Sequence, residues 1–456
     1  MAATPAVGLR YGASRMTARL PPALRHPDFR RYLVGRALTT FGAEMLTVAV
    51  GYQVYQLTRN PLDLGLIGLS EFLPFAALVL PAGEAADHFD RRWIVIGCYL
   101  LDAIAAALLT GLTLAGLHSA VPVFAVVSLL GVAGAFSMPT SQALVPNLVP
   151  TRDFSNAVAV NSSTTQVATI AGPAVGGLVF LLGPAAVYGA VGVLSALSAA
   201  LLLGLRAGGR PDRPAEPMTL TSVLSGVTFV RSRPVVLGSI SLDLFAVLFG
   251  GAAALLPVYA SDILAVGPTG LGLLRAAPAV GAALCGAVLA SRPLSRAVGR
   301  WMFGGVAAFG VGTLVFALSR SFLLSLVALV VMGAADMVSM FIRHILVQLT
   351  TPDRIRGRVS AVNAIFIGAS NELGEFESGI TAAWWGTVPA VIVGGVATIV
   401  VAALWSGLFP SLRRLDRFPG KASDEDQAIA RAAAAAEASG ARPVPEASAD
   451  PAATAE

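Results

Sequence analysis

The chain has 456 residues, of which 55% are hydrophobic and only 12% are charged. This composition excludes an ordinary soluble globular fold and indicates a polytopic membrane protein. The formal net charge of +5 is distributed over loops between apolar runs, so it favours contact with a lipid bilayer over contact with nucleic acid.

Twelve apolar segments follow a basic N-terminal stretch that lacks the short apolar core of a secretory signal. Each segment is long enough to cross a bilayer as a helix of about 20 residues. The first six predicted spans are residues 32–55, 64–81, 93–117, 121–139, 154–181 and 185–205. The second six are residues 235–259, 271–290, 301–318, 322–349, 359–385 and 388–409.

These spans predict five regions. They are an N-terminal segment (1–31), a first six-helix bundle (32–205), a polar linker (206–234), a second six-helix bundle (235–410) and a tail that we expect to be largely disordered (411–456). Arginines concentrate in alternate loops, such as the one with Arg91 and Arg92. By the positive-inside rule, these loops, the linker and both termini are cytoplasmic.

The two halves of the sequence repeat with a constant offset of 204 residues. Gly68 and Pro74 in the second span correspond to Gly272 and Pro278 in the eighth. One offset that holds across distant segments indicates a parallel repeat, with two bundles related by a pseudo-two-fold axis around a central cavity.

A charged loop separates the second and third predicted spans. Its glycine suits a tight turn, and its arginines can donate hydrogen bonds to the end of a neighbouring helix. The spacing of Gly83, Asp87, Arg91 and Arg92 resembles the signature loop of the major facilitator superfamily, in which these residues brace the cytoplasmic gate. Asp90 stands where that motif usually has glycine. A solvated positive-inside loop is the alternative.

Small residues and a proline meet in the fifth span. Gly172, Gly176 and Gly177 allow close helix packing, and Pro173 produces a bend. The string resembles the antiporter motif of the same superfamily, found in exporters that exchange substrate for protons, with Ala168 in place of its upstream glycine.

Short strings elsewhere resemble the branch of the superfamily that contains the bacterial enterobactin exporter. They lie at residues 29–31, 57–58, 89–92, 148–150 and 356–363. The resemblance implies a bacterial inner (cytoplasmic) membrane and the export of siderophores or other small organic compounds.

Ionisable side chains inside the spans are the functional candidates, because each is costly in hydrocarbon unless it faces water or a partner. Those in the middle third of the predicted membrane are Glu44, Glu71, Asp102, Asp243, Arg275 and Asp336. The repeat places Arg275 at the position equivalent to Glu71. We expect Arg275 to pair with Asp243 or Glu71 in one conformation and to release it in another; a static ion pair is the alternative.

Two further spans carry polar clusters. In the tenth, Asp336, Met340 and Arg343 share a helix face, which predicts a cavity stripe, unless Arg343 and His344 extend to the membrane surface.

In the eleventh span, Glu372 and Glu375 lie within about 60° of each other on the helix, and Glu377 points elsewhere. We expect Glu372 and Glu375 to face polar surroundings and at least one to bind a proton. The alternative is that this helix begins late, so that the cluster reaches the membrane surface.

These observations predict an all-α integral membrane transporter that exchanges a small-molecule substrate for protons by alternating access. We expect a monomer without cofactor or metal, since the four histidines are scattered and show no metal-ligand spacing. The alternatives are an importer or uncoupled facilitator, a membrane-embedded enzyme, and a sensor that transports nothing.

Overall fold

The computed structural model describes residues 21–206, 227–352 and 355–419. The predicted tail beyond residue 419, most of the predicted linker and most of the N-terminal segment lie outside the described residues. The described chain contains twelve long helices, which confirms the predicted all-α fold. They are α1 (Pro27–Thr58), α2 (Pro61–His88), α3 (Arg91–Leu114), α4 (Val121–Leu148), α5 (Phe154–Val179), α6 (Pro184–Leu203), α7 (Pro234–Phe249), α8 (Gly267–Ser291), α9 (Val298–Leu318), α10 (Phe322–Thr350), α11 (Arg356–Trp385) and α12 (Thr387–Leu408).

Eleven candidate membrane spans are found within the described residues, and each coincides with a predicted span. The remaining predicted span, residues 359–385, coincides with α11, which is long enough to cross a bilayer and carries the acidic cluster. Prolines in the first turn begin several helices, among them Pro27, Pro61 and Pro184, because proline has no backbone N–H to leave unpaired there.

The two halves pack by the same pattern. In the first, α2 packs on α4, α3 on α6, and α1 on both α5 and α6. In the second, α8 packs on α10, α9 on α12, and α7 on both α11 and α12. Adding six to each helix number converts one pattern into the other, as expected for two bundles related by a pseudo-two-fold axis.

The seventh predicted span is not one continuous helix, which corrects the prediction for residues 235–259. Helix α7 ends at Phe249, and a 3₁₀ turn and a π-helical segment (Tyr259–Ile263) follow. The break lies where the chain crosses α11: a Cβ atom on Gly251 would lie 2.5 Å from the carbonyl oxygen of Gly374. Two successive glycines, Gly250 and Gly251, allow this close approach and interrupt the helix.

The bundles cross at α2–α11 and at α5–α8. In the first crossing, a Cβ atom on Gly379 would lie 2.9 Å from the Cα atom of Gly65. In the second, a Cβ atom on Gly272 would meet the carbonyl oxygen of Pro173. Such backbone contact between helices requires small residues. Gly272 of the repeat and Gly177 of the antiporter-like motif both lie at the second crossing.

These crossings close one end of the molecule, which we call the closed end and which holds Arg59 and Asp262. The contacts continue to the middle of the helices, where Gln166 of α5 donates a hydrogen bond to the carbonyl oxygen of Ala279 of α8 (3.1 Å). The half of α5 before Gln166 presents an exposed face of small and polar residues, including Ser155 and Ser162. A cavity between the bundles therefore extends towards the opposite end, here the open end, which holds Arg91.

Candidate functional site

Two cavities of about 250 and 270 Å³ meet at Glu71 of α2. The first lies within the first bundle and includes Glu44 and Asp102 in its lining. The second lies between the bundles and includes Phe75 of α2 and Glu372 of α11 in its lining. The side chain of Glu71 is exposed even though it belongs to the middle of a helix, because it faces these cavities and not lipid.

Glu71 also lines a smaller cavity of about 50 Å³ together with Arg275 of α8 and Glu375 of α11. Electrostatic interactions connect Glu71 with Glu375 and with Arg275, and Glu372 with all three. Three carboxylates therefore share one guanidinium at the junction of the bundles. When all are ionised, the group carries a net charge of −2, and the carboxylates repel one another.

The acidic residues of α11 pack directly against α2. A Cβ atom on Gly68 would lie 3.1 Å from the Oε2 atom of Glu372 and 3.4 Å from that of Glu375. Glu372 and Glu375 thus share the face that their helical spacing predicts. Gly68 provides the room for both carboxylates, which gives one of the repeated glycines a physical role.

Glu44 and Asp102 extend the acidic group into the first bundle. Glu44 of α1 contacts Thr169 and is attracted by Arg275, while Asp102 of α3 is repelled by Glu71. The structure therefore brings Glu44, Glu71, Glu372 and Glu375 together around Arg275, and Asp102 lies next to Glu71. All six are among the residues that the sequence predicts.

Arg36 of α1 was missed by the sequence predictions. It lines both larger cavities, and it contacts Tyr99 of α3. Its position could have been predicted from the sequence. Thr40, Ala43 and Thr47 follow Arg36 at helical spacing, and all line the same cavity. A polar stripe of this kind inside an apolar span indicates a face turned towards water.

The remaining charged candidates lie apart, inside the second bundle. Asp243 of α7 forms an ion pair with Arg343 of α10, and both side chains are buried. Of the two partners predicted for Arg275, Asp243 is therefore not its partner in this conformation, whereas Glu71 interacts with it. The alternative in which Arg343 extends to the membrane surface is wrong. Asp336 lines a small cavity beside Asp243. Met340 is 40% exposed.

The motif at residues 83–92 braces helices within the first bundle. The Nε atom of Arg92 donates to the carbonyl oxygen of Leu202, 3.1 Å away, at the end of α6. Arg91 donates to the carbonyl oxygen of Ala143 of α4 (3.2 Å) and lies 3.8 Å from the carboxylate of Asp87. The arginines thus bind neighbouring helices, as the sequence predicts.

Gly83 does not form the predicted turn. It lies inside α2, which continues to His88, and the chain turns at Phe89 and Asp90. The helix continues through Gly83 although Pro81, two residues earlier, supplies no backbone N–H to the hydrogen-bond ladder. Asp90 instead caps α3, where its side chain accepts a hydrogen bond from the backbone N–H of Arg92 (3.0 Å).

The antiporter-like motif of α5 faces two helices. A Cβ atom on Gly172 would lie 2.6 Å from the Cβ atom of Glu44, and one on Gly176 would lie 2.8 Å from the Cα atom of Met45, both on α1. Gly177 meets α8 in the same way, and Pro173 is buried between these contacts. The motif therefore packs α5 against the helix that carries Glu44 and against the other bundle.

Comparisons with known proteins agree with this architecture. The family described as "Transmembrane secretion effector" matches residues 17–438. Enterobactin exporter EntS of Escherichia coli O1:K1 is 25% identical over 409 residues, which cover 88% of this chain and 96% of that protein. The enterobactin exporter of Citrobacter koseri is 26% identical over 402 residues, which cover 86% of this chain and 94% of that protein.

Solved structures show the same fold. A bacterial homologue of the human lysosomal transporter Spinster, in an inward-facing and occupied conformation, superposes with a TM-score of 0.67 at 14% identity, covering 85% of this chain and 98% of that one. A D-xylose–proton symporter superposes with a TM-score of 0.64 at 14% identity, with the same coverage of both chains. The chain belongs to the transmembrane secretion effector family and is a multi-pass membrane transporter of the major facilitator superfamily, not an enzyme.

Proposed function

We propose that this transporter exports a small organic compound, a siderophore or a drug-like molecule, in exchange for protons. The observation that carries the proposal is the group formed by Glu71, Glu372, Glu375 and Arg275 where the two bundles cross. A net negative group at a contact between moving parts is a physical basis for coupling, because adding or removing a proton changes the free energy of that contact.

The proposed orientation follows from the arginine-rich loops. If the open end with Arg91 faces the cytoplasm, this conformation is inward-facing and its cavity is accessible to a substrate that leaves the cell. The linker and both termini then lie in the cytoplasm as well. A single chain contains both bundles and the cavity, so the proposal needs no second copy.

The proton cycle follows from the packing of α2 on α11. In this conformation the carboxylates of Glu372 and Glu375 are held against Gly68 and near Glu71. Protonation reduces their mutual repulsion and stabilises the crossing, while loss of a proton to the cytoplasm weakens it. A weakened crossing favours opening of the closed end. Protons then move inward as substrate moves outward, which is antiport.

The substrate class rests on likeness. The two curated relatives are enterobactin exporters, and the cavity combines carboxylates and Arg36 with aromatic side chains such as Phe72 and Phe75. This mixture suits a molecule with an aromatic body and polar groups, in keeping with the mostly apolar lining of small-molecule sites.

The test is substrate-driven proton flux in proteoliposomes that contain the purified full-length protein and a pH-sensitive dye. Siderophores and lipophilic drugs serve as trial substrates. We expect flux in the parent and at least a tenfold loss in Glu71→Gln and Glu372→Gln. Glu377→Gln is the matched control, because Glu377 lies on the same helix but does not interact electrostatically with the Glu71 group.

Two outcomes would contradict the proposal. Substrate movement without protons in the parent would identify an uncoupled facilitator, in which the carboxylates bind substrate or stabilise the fold. Full coupled transport by the Glu71→Gln and Glu372→Gln variants would remove these residues from the proton pathway.

A further inference from the structure

A second cluster of ionisable residues lies inside the second bundle, apart from the central cavity. A cavity of about 10 Å³ is lined there by Asp243 of α7 and by Asp336 and Ser339 of α10, with Val306 and Phe309 of α9 on its apolar side. This volume is about that of one water-sized species. The cavity is therefore too small for an organic substrate and suits a single small ion.

The charges at this cavity do not balance. Asp243 is neutralised by its ion pair with Arg343. Asp336 makes no hydrogen bond or ion pair with any residue in the described part of the chain, although it lines the cavity beside Asp243. Arg343 follows Asp336 by seven residues, which is two helical turns or about 10 Å along the axis of α10. Its guanidinium forms the ion pair with Asp243. One negative charge remains without a partner in the middle of the bundle.

A hydroxyl group at the same cavity also lacks a partner. The side chain of Ser339 is 2% exposed, and its Oγ atom has no hydrogen-bond partner within the described residues. Buried hydroxyl groups in native proteins are almost always satisfied. An unsatisfied Oγ atom beside an unpaired carboxylate indicates a ligand that both oxygens contact.

The end of α7 adds a further attraction for positive charge. Ala246 and Val247, in the last turn of α7, line the cavity, and the helix stops two residues later at Phe249. The C-terminal end of a helix carries partial negative charge. In membrane transporters, interrupted helices of this kind coordinate coupling ions at such ends.

We propose that this cavity is a binding site for one monovalent cation, Na⁺ or a proton, held by Asp336, Asp243 and the hydroxyl group of Ser339. One positive charge makes the group neutral, whereas a divalent ion would overcompensate it. Asp243 and Arg343 are the other charged groups at this site, and α9 contributes apolar side chains only. Carboxylate and hydroxyl oxygens are the ligands that hard cations prefer.

The test uses thermal unfolding of the purified full-length protein in detergent. NaCl replaces choline chloride at constant ionic strength, and a second series varies pH in choline chloride alone. A cation that binds only the folded state raises Tm progressively with its concentration. If Na⁺ is the ligand, Tm of the parent rises with Na⁺, the rise is lost in Asp336→Asn and it is reduced in Ser339→Ala.

If the proton is the ligand, Na⁺ has no effect, Tm of the parent rises as pH falls, and Asp336→Asn flattens that dependence. In either case, Asp336→Asn should have a higher Tm than the parent when the cation is absent, because the unpaired charge is gone. Glu377→Gln, which alters a carboxylate on another helix, should respond like the parent. The inference is overturned if parent and Asp336→Asn respond equally to Na⁺ and to pH. Thermal unfolding does not depend on transport, so this test remains valid if the proposed antiport is wrong.

Discussion

Arg343 of α10 and Asp243 of α7 form an ion pair in which the side chains are only 4% and 8% exposed. Removing one partner of a buried pair leaves an uncompensated charge, which costs about 3–5 kcal/mol. We expect Asp243→Ala and Arg343→Met each to lower the free energy of unfolding by about that amount, measured by denaturant titration in detergent.

The double variant Asp243→Ala/Arg343→Met tests whether the two charges act as a pair. It should be less destabilised than the sum of the single variants, because neither charge is then left alone. Additive losses in the double variant would show that the two side chains contribute independently. Arg413→Met, at an exposed position, controls for loss of an arginine and should change stability little.

The closed end is held by an interaction between the bundles. Asp262 accepts hydrogen bonds from the hydroxyl group of Tyr55 (2.5 Å) and from Nη1 of Arg59 (2.9 Å), both in the first bundle. The carboxylate of Asp262 is 42% exposed, so its ion pair contributes only about 0.5–1 kcal/mol. We expect Asp262→Ala to shift the population of conformations towards opening of this end by a factor of about 2–5.

Spin-label distances can measure that shift. Labels at Ser119 and Ser321, exposed residues in equivalent loops of the two bundles at this end, report its opening after Cys98 and Cys285 are replaced by serine. The Asp262→Ala variant should gain a longer distance. Asp63→Asn removes a carboxylate from the first turn of α2 at the same end and should leave the distance distribution unchanged. An equal change in both variants would mean that loss of a negative charge, and not loss of the contacts of Asp262, opens this end.

The crossing of α5 and α8 depends on the absence of a side chain at Gly272. A Cβ atom there would meet the carbonyl oxygen of Pro173. We expect Gly272→Ala to disfavour this conformation and to reduce transport, because the helices must separate to accommodate the methyl group. Gly97→Ala is the control: nothing lies within 4 Å of its Cβ position, so it should transport like the parent. Unchanged transport in both variants would show that the crossing tolerates a wider spacing.

The helices and their order could be predicted because an apolar run of about 20 residues in a bilayer can satisfy its backbone only as a helix. The shared face of Glu372 and Glu375 followed from 100° per residue. The break after Phe249 could not be predicted in this way. Pairs of adjacent glycines such as Gly250 and Gly251 also occur within continuous membrane helices. It depends on contact with Gly374, which is distant in sequence.

The partner of Asp243 could not be identified from the sequence for a related reason. Sequence order suggested Arg275 on the next helix, but α7 also packs on α10, where Arg343 faces it. Which helices are neighbours depends on the arrangement of the whole bundle. The sequence identified the charged residues inside the helices, whereas their pairing required the three-dimensional structure.

Gly83 has open space at its Cβ position in this conformation, with nothing within 4 Å. Because the residue is helical, Gly83→Ala should stabilise the protein by about 0.5–1 kcal/mol. Because the motif resembles one that braces the cytoplasmic gate, we expect closure of the open end to bring a neighbouring helix against Gly83. A larger side chain should then be tolerated in this conformation and excluded from the other.

Gly83→Leu should therefore keep the stability of the parent in thermal unfolding but reduce the transport rate about tenfold or more. Spin labels at Ser119 and Ser321 should also show less opening of the closed end during turnover, since the alternative conformation is disfavoured. Gly97→Leu, at an equally open position on α3, controls for the added leucine. If Gly83→Leu transports at the rate of the parent, closure of the open end does not bring a neighbour against this residue, and the motif acts through Arg91 and Arg92 alone.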